Sequence, residues 1–152
     1  MPSVEGEELS VVINRPVEEV FAFLAAPENV PRWQLGILEN EQTSEGPIGV
    51  GTTYQMVSQF LGRRIESTFE VTEYEPNRTV SLKTTSGPGQ LEASWTFEAI
   101  EGGTKVAVVG KGESSGFFKV AEPIVARMFK RQTEANLGTL KDLLEAQAEG
   151  SV

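Results

Sequence analysis

The chain has 152 residues, a net charge of −9, no cysteine and no histidine. Its length suits one domain, residues 1–152, burying roughly 68–70% of the surface its unfolded chain would expose. The missing thiols and imidazoles exclude a disulfide framework, zinc sites of the usual kind and any histidine base, and the acidic surplus opposes nucleic-acid phosphates and anionic membranes.

Leu9–Asn14 is a short β-branched run that Pro16 stops, and it reads as a first strand. Pro16 suits a first helical position. Val17, Val20, Phe21 and Leu24 then recur at spacings of three and four, with Glu18 and Glu19 in the positive first turn, which predicts a short amphipathic helix. Pro27 and Pro31 end it, leaving room over 28–33 for one more helical turn before a second strand at about Gly36–Thr43.

From there to residue 112 the period is two. Tyr54, Met56, Ser58 and Phe60 share one face of a strand, as do Ile65, Ser67, Phe69 and Val71 in the next. Val80 and Leu82 follow, then Leu91, Ala93, Trp95, Phe97 and Ala99, then Lys105–Lys111. The turn signals Leu61-Gly62-Arg63, Glu75-Pro76-Asn77-Arg78, Ser86-Gly87-Pro88-Gly89 and Glu101-Gly102-Gly103 join these strands into an antiparallel meander. Its apolar face needs a cover, which Lys119–Ala148 supplies as a helix roughly 40–45 Å long. The expected fold is α+β and helix-grip: a curved antiparallel sheet of about seven strands around a long C-terminal helix, with two short helices after the first strand.

A bent sheet and a straight helix cannot touch along their whole length, so a cavity is expected between them. Its apolar walls are predicted at Tyr54, Met56, Phe60, Phe69, Leu91, Trp95 and Phe97 on the sheet. Trp33 is placed at one mouth, Phe117 or Phe118 at the other, and Met128 and Phe129 on the helix. The helical stripe through Val125, Phe129, Leu140, Leu143 and Leu144 is interrupted by Gln132, Thr133 and Asn136. Buried polar groups must find partners, so Gln132 and Asn136 are expected to anchor the polar part of a ligand. Tyr54 is the expected hydrogen-bond or proton donor. Gly110 and Gly112 are expected to let the long helix approach the last strand.

Several segments in this order resemble the START and birch-pollen-allergen-like superfamily, in its polyketide cyclase/dehydrase branch. They are Arg15-Pro16-Val17-Glu18-Glu19-Val20-Phe21, Pro27–Trp33, Gly49–Tyr54, Tyr74-Glu75-Pro76, Trp95–Glu98 before Gly102–Val106, and Leu137–Glu145. The resemblance covers Leu9 to Glu145 and implies the same helix-grip architecture. Its members include ligand binders, enzymes and co-chaperones, so it does not choose among functions.

The leading expectation is a binder of a hydrophobic small molecule of polyketide, lipid or isoprenoid kind. The alternative is an aromatase/cyclase-type enzyme acting through tyrosine and bound water, and a protein-interaction module ranks third. No cofactor, metal or nucleic-acid partner is expected, and a homodimer is left open. No stretch reaches the roughly 20 apolar residues of a membrane span and Met1–Glu8 is acidic, so a cytoplasmic protein without stable membrane insertion is expected.

Overall fold

The computed structural model describes residues 4–5, 8–60, 62–87, 90–113 and 122–149. The strands are β1 (Val4–Glu5), β2 (Leu9–Ile13), β3 (Ile37–Gln42), β4 (Thr53–Phe60), β5 (Arg63–Glu75), β6 (Thr79–Ser86), β7 (Gln90–Ile100) and β8 (Gly103–Glu113). Between β2 and β3 lie α1 (Val17–Ala25), a 3₁₀ turn (Pro27–Asn29) and α2 (Val30–Trp33); α3 (Glu122–Glu149) closes the described chain. Within the described residues the expected strand and helix boundaries hold to within a few residues, and the expected start of the long helix at Lys119 lies outside them. The two-residue β1 is an addition to the expected strands.

All strand pairs are antiparallel, in the order β3-β4-β5-β6-β7-β8, and β8 then pairs along its length with both β1 and β2. The consecutive hairpins follow directly from the turn residues. Asn77, with φ of 67°, takes the left-handed conformation in the β5–β6 turn that asparagine tolerates best after glycine.

Curvature comes from the long β5. Its register against β6 shifts between Thr68 and Phe69 and again between Val71 and Glu73. Each irregularity bends the strand and increases its local twist, so Phe69 and Val71 sit at the bend.

The core lies to one side of this sheet. Ile13, Val106, Val108, Trp95 and Phe97 from the strands meet Val20, Phe21 and Leu24 of α1 and Leu137, Leu140 and Leu144 of α3. Helix α1 rests on β7 and β8, while α3 packs chiefly against β2 and α2. The tightest backbone approach is at Gly103, where a Cβ would collide with the carbonyl oxygen of Ile13. It is not at Gly110, whose nearest neighbour to a Cβ is the Glu92 carbonyl at 3.9 Å. The expected contact with the helix is therefore not made at Gly110, and the surroundings of Gly112 lie outside what the structure describes.

Candidate functional site

Between the bend in β5 and the α1–α2 segment lies an internal cavity of about 50 Å³. Trp33, Tyr54, Met56, Phe69 and Trp95 line it, all five among the predicted wall residues. Sequence reading missed the opposite wall, built by Leu24, Ala25, Pro27, Val30 and Gln34, and Asn40 from β3. Val71, Val80 and Leu82 complete the floor. One signal for Asn40 was available: asparagine is depleted from strand interiors, and here it stands in the middle of β3.

The geometry of the walls follows from local structure. Pro27 opens the 3₁₀ turn and Pro31 stands early in α2, which brings Trp33 inward at the helix end, where it is 2% exposed. Its ring meets that of Trp95 edge-on, with centroids 5.3 Å apart. Such pairs contribute about 0.5–1.5 kcal/mol beyond their buried area. Phe97, two residues along β7, faces the same side as Trp95 and shares its core, but it does not line the cavity. It packs edge-on to Phe21 at 5.0 Å, and Phe21 in turn meets Tyr74 at 5.6 Å. Phe97 is thus a core residue under α1 and not a wall of the cavity, because the repeat along β7 carries it past the gap.

Two buried polar atoms of cavity-lining residues have no hydrogen-bond partner among the described residues: Nε1 of Trp33 and Oδ1 of Asn40. The orientation of the Asn40 amide follows from its other end, where Nδ2 donates to the Pro27 carbonyl at 3.3 Å. The hydroxyl of Tyr54 adds a third polar group to the lining. Burial pushes its pKa up to about 12, with smaller contributions from Tyr74 and the negative charge of Glu28. Tyr54 is therefore a neutral phenol at physiological pH. It can donate a hydrogen bond but is a weaker acid than a free tyrosine.

The other expected site residues lie elsewhere. Asn136 is buried, but its Oδ1 accepts the Leu35 amide N–H at 2.9 Å, and Gln132 Nε2 donates to the Leu35 carbonyl. The two amides clasp the segment between α2 and β3 to the long helix, and neither lines the cavity. The expected polar anchor is corrected accordingly: their hydrogen-bonding capacity at these atoms is taken by backbone.

Gly36 completes this clasp. Its φ is +91°, and a Cβ would stand 3.1 Å from both Gln132 Nε2 and the Gln59 carbonyl. Met128 and Phe129, 38% and 46% exposed, are also not among the residues that line the cavity. Leu91 is 40% exposed at the start of β7. It borders a larger open hollow of about 350 Å³ with Glu70, Lys83, Gln90 and Glu92. That hollow has charged, solvent-facing sides and no aromatic wall, so the apolar, aromatic-lined cavity is the stronger candidate despite its smaller volume. Phe117, Phe118 and the side chain of Phe60 lie outside the described residues.

Among the described residues no cluster of histidine, cysteine, aspartate or glutamate could hold a metal ion, and no helix is long and apolar enough to cross a membrane.

This architecture, a strongly bent antiparallel sheet gripping a C-terminal helix over an internal cavity, defines the helix-grip class. Residues 6–145 match the family described as polyketide cyclase / dehydrase and lipid transport, and the chain belongs to that family. No curated protein matches the sequence. Among solved structures, it is similar to TTHA0849 from Thermus thermophilus, with a TM-score of 0.80 and 19% identity over 96% of this chain and 99% of that one. It is also similar to the Zhui aromatase/cyclase from Streptomyces sp. R1128, with a TM-score of 0.79 and 15% identity over 97% and 96% of the two chains. Ara h 8.0201 superposes with a TM-score of 0.68 at 14% identity, covering 95% of this chain and 99% of that one. At these identities the likeness is one of fold.

Proposed function

We propose that the chain binds a hydrophobic small molecule of polyketide, lipid or isoprenoid kind in the space between the bent sheet and the helices. The observation that carries this reading is the convergence of Trp33, Tyr54, Met56, Phe69 and Trp95 from four separate elements on one largely apolar space. Membership of a family described by cyclisation, dehydration and lipid transport supports it.

The cavity holds about 50 Å³. Ordinary small-molecule sites are larger, at roughly 300 Å³ and upward. Binding therefore requires the walls to part. The part of α3 that carries Ile124, Met128 and Phe129 leaves these side chains exposed.

Carriage is preferred to catalysis because the described cavity walls supply hydrogen-bond donors and an acceptor but no group that titrates near neutral pH. A phenol whose pKa is raised to about 12 orients a carbonyl better than it protonates one. The aromatase/cyclase alternative keeps the same walls and adds proton transfer through bound water.

Native mass spectrometry of the purified chain, with extraction of any retained molecule, tests the reading. The expected result is an apolar adduct, or uptake of Nile red that is lost in Trp95→Ala. A protein that retains nothing and takes up no apolar dye would overturn it.

A further inference from the structure

Two orphaned polar atoms belong to residues that line the cavity, and their chemistry bears on what the buried end of its ligand can be. Among the described residues, Trp33 Nε1 carries a hydrogen with nothing to accept it, and Asn40 Oδ1 has lone pairs with nothing to donate to them. Leaving such groups unpaired is costly, and native proteins seldom tolerate it without a partner to come. Both residues border the same space. It is small enough that a few water-sized groups would fill it.

The chemistry of the pair narrows the choice. A carbonyl accepts from the indole but offers nothing to Asn40. An ammonium donates to Asn40 but cannot accept from Trp33. A carboxylate or phosphate satisfies only the indole and brings charge into an apolar space. It also meets the field of Glu28, which already acts on the neighbouring Tyr54. A neutral hydroxyl does both, since it accepts through oxygen and donates through hydrogen.

We infer that the ligand enters with a neutral hydroxyl leading, and that this hydroxyl accepts from Trp33 Nε1–H and donates to Asn40 Oδ1. The apolar body then lies against Phe69, Met56 and Trp95. This rests on the proposed binding of a hydrophobic molecule and adds its polar end: an alcohol, phenol or enol, in place of a hydrocarbon, a methyl ether or an acid.

Three probes of one shape separate the possibilities: 2-naphthol, 2-methoxynaphthalene and naphthalene, titrated calorimetrically into the full chain. The expected order is 2-naphthol tightest, at least about tenfold over naphthalene, with the ether between them because it accepts but cannot donate. Trp33→Phe and Asn40→Ala should each lower the affinity for 2-naphthol about tenfold while moving naphthalene by no more than about twofold.

Should either variant fail to fold, the indole N–H proton resonance of Trp33 in the unmodified chain, distinguished from that of Trp95 in Trp95→Phe, reports the same contact. It should move downfield with 2-naphthol and not with naphthalene. Equal affinity for 2-naphthol and naphthalene overturns the hydroxyl inference and leaves the apolar site standing. Failure of all three to bind overturns both. A Trp33 resonance that stays in place, or keeps its contact with a resident water when 2-naphthol is saturating, shows that the hydroxyl is held elsewhere and overturns the assignment.

Discussion

The two halves of the long helix carry similar apolar residues and meet different fates. In the C-terminal half Leu137, Leu140 and Leu144 are buried in the core. Polar contacts hold that half in place: Asn136, joined by Gln132 one turn before it, grips Leu35, and Lys141 Nζ donates to the Val12 carbonyl at 2.8 Å and to Glu145 at 2.6 Å. The Glu145 carboxylate also accepts the Asn14 N–H at 3.0 Å. In the N-terminal half Ile124, Met128 and Phe129 leave much of their surface in solvent. Apolar spacing on a helix thus shows which residues could be buried together, while the partner surface decides which are. The sheet bends away from a straight helix, and the cover on its far part comes from α1, the 3₁₀ turn and α2.

The contrast can be broken at several points. Leu140 is fully buried. Leu140→Ala should have the largest effect, lowering unfolding free energy by about 2–5 kcal/mol, as for other buried leucines. Chemical denaturation measures it, and a loss below about 1 kcal/mol would mean that this half is not anchored as described. Gly36→Ala forces a side chain into the left-handed region and against Gln132. That change should cost about 1–2 kcal/mol, read from the same denaturation curves. Asn136→Ala removes the acceptor of the Leu35 N–H. The expected loss is about 1 kcal/mol, with faster amide exchange at Leu35.

Two titrations sharpen the same picture. The folded-state pKa of Tyr54 is raised from 10.0 to about 12. The stabilisation linked to its neutral form is therefore complete below the ordinary value and is lost as pH rises through the raised one. The difference in tyrosinate absorbance between the wild type and Tyr54→Phe should stay near zero up to the ordinary tyrosine pKa and grow only above it.

Glu145 is shifted the opposite way: its hydrogen bond to Lys141, then that from Asn14, hold its pKa below the ordinary 4.5. Its contribution is present above that value and lost as pH falls through the lowered one. Melting temperatures of wild type and Glu145→Gln should converge in acid, and a gap that persists at the lowest pH would show that the carboxylate charge is not what fastens this end. Ile124 is 62% exposed. Smallest of all, Ile124→Ala should change stability by no more than about 0.5 kcal/mol. A cost comparable to that of Leu140→Ala would erase the distinction between the halves.

Much of the fold was legible in the sequence because its signals are local. Alternation marked Tyr54, Met56, Phe69 and Trp95 as one-faced, turn residues such as Asn77 marked the hairpins, and the proline pair at 27 and 31 marked the short helices. Apart from Trp33, the site was legible only on the sheet side. Asn40, Leu24 and Val30 reach the cavity because a segment distant in sequence from β5 and β7 folds back over them, and no local period encodes that return.

Gln132 and Asn136 show the same limit from the other direction. Their place on a largely buried face correctly implies that they need partners, but the partner is the backbone of Leu35, about a hundred residues earlier in the chain.

Residue type and spacing within a few positions were enough to settle the order of the elements, the faces of the strands and the absence of thiol and imidazole chemistry. Tertiary structure alone decided where the helix leaves the sheet, which aromatics surround the cavity and which polar atoms there lack partners. Those outcomes depend on the bend in β5 and on contacts between distant segments, and burial is a property of the surfaces that finally meet.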